Sequence, residues 1–345
     1  MSEVLIRREG RAGRITLNRP AALNALTHAM CLAIDAALRA WAEDPAVAIV
    51  LIEGAGPRAF CAGGDIAAMH ATGTAGDFGY GRRFWRDEYR MNARLAAFAK
   101  PTVAFLQGFV MGGGVGLGCH ARLRIVGEST QIAMPECGIG LVPDVGGSML
   151  LARAPGRLGA YLGTTGARLG PADAIRAGFA DVFVPEAEWE AAKAAMLATG
   201  RAEVTGQTPP AGRLAAMQAE IDRHFAGATI GDIVRSLAAA DSAFARDTRA
   251  ALARNAPLSM ACTVEMLRRL GPAPDIRTAL GLEYRFTFRA MEHGDFLEGI
   301  RAAIIDKDRR PRWRHAAPEA VPPADVARML MPLGADALTF EAAAT

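Results

Sequence analysis

The sequence predicts an α/β fold, a mostly parallel sheet covered on both sides by helices, with a helical region following it. Three observations predict this. Short continuous apolar runs, such as 48–52 and 102–106, alternate with stretches of helical spacing through the first half. Glycine-bearing turns, Gly54-Ala55-Gly56-Pro57 and the run 112–116, separate them. Beyond residue 185 Ala, Leu and Arg dominate at helical spacing, and strand signals become rare. Strands that are apolar throughout, rather than alternating, are those buried on both faces between helices.

Taken in order, the N-terminal run MSEVLIRREGRAGRITLNRP is charged and strand-like. Asn24 is expected to cap a helix whose apolar positions Leu26, Met30, Ile34, Ala37, Leu38 and Trp41 fall at helical spacing. The β-rich run 48–52 ends in the GAGP turn. A loop through Phe60-Cys61-Ala62-Gly63-Gly64-Asp65-Ile66 leads to a helix over 80–98. A strand over 102–106 is followed directly by the glycine run, which opens a helix, and then by a strand over 123–126. Residues 186–290 read as helices packed on the α/β part, with no Ser/Gly linker between. The expected division is therefore a core over 1–185 and a helical region over 186–345. The tail from Ala316, with its paired prolines and alanine stretches, reads as partly loose, and no internal repeat is visible.

Of the 345 residues 51% are hydrophobic and 22% charged, the balance of a chain with a real core. A net charge of +3, with the basic residues scattered, points to neither nucleic acid nor a membrane surface. No segment approaches the ~18 apolar residues needed to span a bilayer. The N-terminus shows no signal-peptide pattern, so cytoplasm is the expected location. The five cysteines (Cys31, Cys61, Cys119, Cys137 and Cys262) form no CxxC pair and read as structural and reduced. No HExxH occurs, and nothing in the sequence argues for a metal.

Chemistry concentrates in four places. Two are the glycine loops, Cys61 to Ile66 and Met111 to Gly116. Glycine allows a backbone N–H to approach a ligand closely, and a helix N-terminus favours negative charge. Two such N–H groups converging on one oxygen form an oxyanion hole, worth ~3–4 kcal/mol per donor. For either loop alone, tight strand–helix packing is the ordinary reading. A dinucleotide-binding reading of the second fails because the GxGxxG spacing is not met. The third place is MPECGIGLVPDVGG, where Glu136 and Asp144 sit eight residues apart among apolar, Gly and Pro residues. Buried carboxylates are costly unless paired or used, so either capping or catalysis accounts for them. The fourth is Glu88, on the same helical stripe as Phe84, Met91, Leu95 and Phe98. An acid there either meets a cationic partner or projects into a ligand cavity.

FCAGGDI, MGGGVGLG and MPECGIGLVPDVGG, in this order and at these intervals, resemble the crotonase (enoyl-CoA hydratase/isomerase) superfamily, and in detail its 3-hydroxyisobutyryl-CoA hydrolase branch. LNRPAALNAL near the start and FLEGIRAAIIDKDRRPRW near the end belong to the same pattern, so the resemblance covers essentially the whole chain. It implies a crotonase-like core of ββα repeats wound as a spiral, with a helical C-terminal region. It implies oxyanion donors at Gly64 and Gly113, with coenzyme A lying over the loop Ala62, Gly64, Asp65 and Ile66. Hydratases of the superfamily resemble one another in carrying a catalytic glutamate three residues after the oxyanion glycine; here that residue is Gly116. Losing one of two proton-transfer groups typically costs ~10²–10⁴-fold, which argues against hydration. The hydrolase branch's set is present. The resemblance makes Glu136 the nucleophile or the base for an attacking water, Asp144 the group that orients it or protonates the leaving thiolate, and Glu88 the acceptor for a substrate hydroxyl.

The function so implied is hydrolysis of a short-chain 3-hydroxyacyl-CoA, first of all 3-hydroxyisobutyryl-CoA of valine breakdown. Coenzyme A is then part of the substrate, and no separate cofactor is expected. The alternatives are hydratase or isomerase activity on the same fold, and a non-catalytic acyl-CoA-binding protein. Lys307 and Arg309 would either reach coenzyme A phosphates or form a solvated charge run. Relatives in the superfamily commonly form trimers or pairs of trimers, so a homo-oligomer is among the expectations.

Overall fold

The computed structural model describes residues 2–341, which divide into two compact units. Of the described residues, the first comprises those up to 64, 87–133 and 168–214; the second comprises 65–86, 134–167 and those from 215 on.

All the strands lie in the first unit: β1 (Val4–Glu9), β2 (Ala12–Leu17), β3 (Ile49–Gly54), β4 (Ala59–Cys61), β5 (Thr102–Leu106), β6 (Phe109–Met111), β7 (Leu123–Val126), β8 (Gln131–Ala133) and β9 (Val182–Phe183). They form a six-stranded sheet in the order β1-β2-β3-β5-β7-β9 and a three-stranded sheet in the order β4-β6-β8. Among the strand pairs of the described residues only β1–β2 is antiparallel. Each of the successive pairs β3/β4, β5/β6 and β7/β8 sends one strand to each sheet before the chain turns helical. That is the expected ββα repeat, carried by backbone path where the sequence shows none.

The large sheet is buried on both faces, as its unbroken apolar strands require. Leu51 pairs with Val103, and Phe105 pairs with Ile125. These four residues pack on one face with Ala12, Val184, Trp189 and Met196. The Trp189 ring meets Phe105 edge-on at 5.3 Å, and its Nε1–H donates to the Val184 carbonyl. Val50, Ile52 and Ala104, pointing the other way, are equally buried.

Three expectations are corrected. The first helix, His28–Glu43, is capped by Thr27, whose hydroxyl accepts from the Met30 N–H. Asn24 instead adopts a left-handed φ of 56° and is buried. Its amide there accepts from the Arg19 N–H and donates to the carbonyls of Ala55 and Ala59. An Asn suits a left-handed turn as well as a cap, and the long-range partners decide. The second glycine run does not follow β5 directly, because β6 intervenes. Part of the tail is anchored rather than loose: helix Pro323–Leu330 buries Met329 and Leu330, while residues 342–345 lie outside the described residues. Arg269, Arg285 and Arg289 donate to carbonyls of residues 329–332, where a helix end carries partial negative charge.

The second unit is helical. Helices Gly147–Arg153, Leu158–Thr165, Pro257–Leu270 and Ile276–His293 form its centre. The five cysteines are buried and unpaired with one another. Burial pushes the Cys61, Cys119 and Cys137 thiols up to about 12, so they stay protonated.

Candidate active site

In the first unit, β4 and β6 run parallel and side by side, with Cys61 opposite Val110. Three residues past that pair come Gly64, after β4, and Gly113, after β6, so the register delivers both glycines to the same end of the small sheet. The turn Ala62-Gly63-Gly64 is held by Ala62 N–H to Leu23 and by Leu26 N–H to Gly63, with Gly63 at a left-handed φ of 117°. After β6, Gly112 at φ 49° breaks the strand, and helix Gly113–Gly118 starts at once. A helix leaves its first N–H groups without internal partners. Among the described residues no backbone carbonyl takes up the N–H of Gly64 or Gly113.

Glu88 stands at the same place. It lies on helix Gly79–Ala96, and is 4% exposed. A methyl placed on Gly113 would lie 2.8 Å from Glu88 Oε1, 3.1 Å from Leu26 Cδ1 and 3.5 Å from the Gly63 carbonyl carbon. The carboxylate of Glu88, the Gly63–Gly64 peptide and Gly113 are therefore packed against one another. The stripe that predicted this is buried at Phe84, Met91 and Leu95, while Phe98 lies past the helix end and is half-buried. Gly116 is the fourth residue of the short helix and brings no acid.

In the second unit, Asp65 and Ile66 continue the first loop into helix Ala67–Thr74. Glu136 opens the 3₁₀ turn Glu136–Ile139, and is 5% exposed. Its Oε2 has no hydrogen-bond partner among the described residues. Burial holds its carboxyl well above the usual carboxylate range, and the charges of Asp144 and then Glu283 push the same way. Asp144 is buried too, at the start of a turn in which Val145 and Gly146 both have left-handed φ, 55° and 79°. The Gly147 N–H closes that turn on the Asp144 carbonyl at 2.7 Å. A side chain at 147 would displace the end of the Met134 side chain, two residues before Glu136. The two carboxylates flagged from sequence thus share one buried neighbourhood.

Glu283 was not expected. It sits on helix Ile276–His293, fully buried. It accepts from the Gly146 N–H at 2.8 Å, the Ser148 N–H at 3.1 Å and the Ser148 hydroxyl. Burial pushes its carboxyl up to about 8, against the pull of these donors. The signal was available, since Glu283 lies on the buried stripe of Leu280, Tyr284, Thr287 and Ala290, as Glu88 does on its own helix. Lys307 and Arg309, by contrast, are exposed, in a charge run centred on Arg301, which donates to Glu298, Asp306 and Asp308.

Among the described residues, no helix is long and apolar enough to cross a membrane.

Residues 12–330 match the enoyl-CoA hydratase/isomerase family. A relative named 3-hydroxyisobutyryl-CoA hydrolase, mitochondrial, from Danio rerio is 40% identical over 91% of this chain and 85% of its own. Among solved structures, an enoyl-CoA hydratase from Rhodobacter sphaeroides is 63% identical, with a TM-score of 0.96 over 98% of this chain and 100% of that one. A carnitinyl-CoA dehydratase from Mycobacterium thermoresistibile is 41% identical, with a TM-score of 0.94 over 99% of both chains.

Proposed function

The chain belongs to the enoyl-CoA hydratase/isomerase family, and from that premise we propose that it hydrolyses a short-chain 3-hydroxyacyl-CoA thioester, with 3-hydroxyisobutyryl-CoA as the first candidate. The names of its relatives divide between hydrolase and hydratase or dehydratase, so the residues must decide. The observation that carries the reading is the placement of acids. Position 116 is a glycine inside a short buried helix, whereas Glu88, Glu136 and Asp144 are all retained and buried. Water addition across a double bond needs one group to take a proton from the water that attacks one carbon and another to deliver a proton to the neighbouring carbon; thioester hydrolysis needs an oxyanion hole, one nucleophile or base, and a proton for the thiolate.

On this proposal the thioester oxygen accepts from Gly64 N–H and Gly113 N–H. These donors cost no reorganisation as negative charge builds on that oxygen, because the register of β4 and β6 fixes them beforehand. Ala62, Asp65 and Ile66 line the coenzyme A portion, and Glu88 accepts the substrate's 3-hydroxyl. Glu136 either attacks the carbonyl carbon or removes a proton from the water that does. Both routes form a C–O bond, break the C–S bond and send a proton to the departing sulfur, with Asp144 as its source or as the group orienting Glu136. A carboxyl held above its usual range is a stronger base than an exposed one and is poised nearer neutral pH. No cofactor beyond the coenzyme A of the substrate enters these steps. The compartment proposed is the cytoplasm, and five thiols unpaired with one another fit a reducing environment.

The test is free-thiol release from 3-hydroxyisobutyryl-CoA by wild type and by Glu136→Gln. Turnover by wild type and its loss in the variant are expected. A wild type that hydrates enoyl-CoA without releasing thiol would replace this reading by the hydratase one.

A further inference from the structure

The Asp144 turn is not a conformation its own residues prefer. Val145 is β-branched, and a left-handed φ of 55° places its Cβ against the backbone. Such residues persist only where the surroundings over-determine them, at a cost of ~1–3 kcal/mol. One fixed point beside this one is Glu283, bonded to the residues that follow Val145. Its Oε2 takes the Gly146 N–H at 2.8 Å, and its Oε1 takes the Ser148 N–H at 3.1 Å together with the Ser148 hydroxyl. Three donors from residues 146 and 148 therefore converge on one carboxylate brought in by a helix 135 or more positions away. That carboxylate spans the residue after Val145 and the first turn of helix Gly147–Arg153.

A merely structural need would be met more simply. A helix start is ordinarily capped by a local Ser, Thr, Asp or Asn, and here the preceding residue, Gly146, supplies no side chain. Instead an acid is kept fully buried within electrostatic reach of Asp144; burial, and to a lesser extent the charge of Asp144, raise it, and in its ionised form it raises Glu136 in turn. Placing a third acid beside two is unfavourable on electrostatic grounds. It is understandable if the geometry of the turn matters more than its stability.

We propose that Glu283 is a positioning residue of the active site, holding the strained Asp144-Val145-Gly146 turn so that the Asp144 carboxylate keeps its orientation toward Glu136. The inference rests on the assignment of Asp144 and Glu136 to the chemistry. Glu283 touches no substrate; it acts through the turn.

Glu283→Gln keeps the volume but presents an amide N–H₂ to one of the three donors, so the turn loses at least one bond. Misplacement of a reacting group by about 1 Å costs on the order of 10²-fold, and the expected fall in kcat is about 10–100-fold. KM for the acyl-CoA should stay within about three-fold, because Gly64, Gly113 and Glu88 are untouched. Val145→Gly added to Glu283→Gln should recover at least about five-fold of the lost kcat, since glycine adopts a φ of 55° without strain. Ser148→Ala, which removes only the hydroxyl donor, serves if the glutamine variant fails to fold, and should lower kcat by about 3–10-fold. Each kcat is taken per folded enzyme, with melting curves run alongside. Wild-type kcat in folded Glu283→Gln, or in Ser148→Ala, overturns the proposal, as does a double variant no faster than the single one. Asp144→Asn separates the two levels. If it keeps full turnover, the functional assignment falls and takes this inference with it; if it is inactive while Glu283→Gln is not, only the role of Glu283 falls.

Discussion

Replacing Gly113 by alanine adds one methyl where the Gly63–Gly64 peptide, Leu26 and the Glu88 carboxylate meet. The methyl carbon would stand 2.8 Å from Glu88 Oε1, and ordinary contact begins near 3.4 Å, so the carboxylate must retreat by about 0.6 Å. Leu26 Cδ1, at 3.1 Å, has to give by about half as much. The backbone is no obstacle, because Gly113 is helical and not left-handed. Alanine is favoured over glycine in a helix by ~1 kcal/mol, which offsets part of the crowding, and the variant is expected to fold. The amide N–H survives, but Glu88 no longer stands where a substrate hydroxyl would meet it. A hydrogen bond to a charged group contributes ~1.5–3 kcal/mol, or about 10–150-fold in kcat/KM. The expected fall with a 3-hydroxyacyl-CoA is therefore about 10–100-fold, and with the acyl-CoA lacking the hydroxyl no more than about ten-fold. The assay is thiol release on both esters, with a melting curve to establish folding. Gly114→Ala is the control: its methyl would run into the Cys61 carbonyl, which is backbone and cannot swing aside, and little folded protein is expected. A folded Gly113→Ala enzyme with wild-type kcat/KM on both esters would refute the packing of glycine and acid as a substrate site.

Glu88→Gln should cost about ten-fold or more in preference for the hydroxylated ester, whereas a purely structural acid would lower both rates alike. The acid limb of the kcat/KM–pH profile should lie well above the ordinary glutamate value of ~4.3, because burial, Asp144 and Glu283 raise the Glu136 carboxyl and only its ionised form serves as base or nucleophile. The apparent value belongs to the cluster of Glu136, Asp144 and Glu283 rather than to one residue. A limb at the ordinary value contradicts the burial argument. The same shift predicts a stability effect. The unfolded chain releases the Glu136 proton near ~4.3 while the folded chain holds it to higher pH, so folding weakens as pH rises between the two. Glu136→Gln, which has no proton to lose, should abolish turnover and yet melt higher than wild type at pH 8, by a margin that shrinks toward pH 5. Equal melting temperatures across that range would count against it.

How much was legible depended on the length of each signal. Strands Thr102–Leu106 and Leu123–Val126 have the bounds the sequence predicts, because short, mostly apolar runs between turns leave little choice. The three strands of the small sheet were not read. Each has only three residues, too short for any period to show, and β4 and β6 run directly into the glycine loops. Yet it is their register that sets Gly64 beside Gly113. Asn24 and Thr27 both satisfy the rules for a cap, and only the carbonyls of Ala55 and Ala59, distant in sequence, reveal which one turns the chain. Glu88 was found as an acid on an apolar stripe. Glu283 obeys the same rule and was passed over, since its partners Gly146 and Ser148 lie far away in sequence. The order in the tail depends on three arginines of other helices, which no local reading of its prolines supplies.

Hydrolysis and hydration differ in what becomes of the sulfur. The most direct measurement follows free coenzyme A thiol and enoyl absorbance together while the purified protein acts on 3-hydroxyisobutyryl-CoA, 3-hydroxypropionyl-CoA, a saturated acyl-CoA and an enoyl-CoA. One extra methyl is worth only ~1–3 kcal/mol in a pocket, so the first two should differ by no more than about 10–200-fold. With Gly116 in place of a second acid and Glu88, Glu136 and Asp144 buried, thiol should appear mole for mole with the hydroxyacyl esters consumed, and the enoyl ester should persist. Loss of enoyl absorbance with no thiol released from any ester would contradict it.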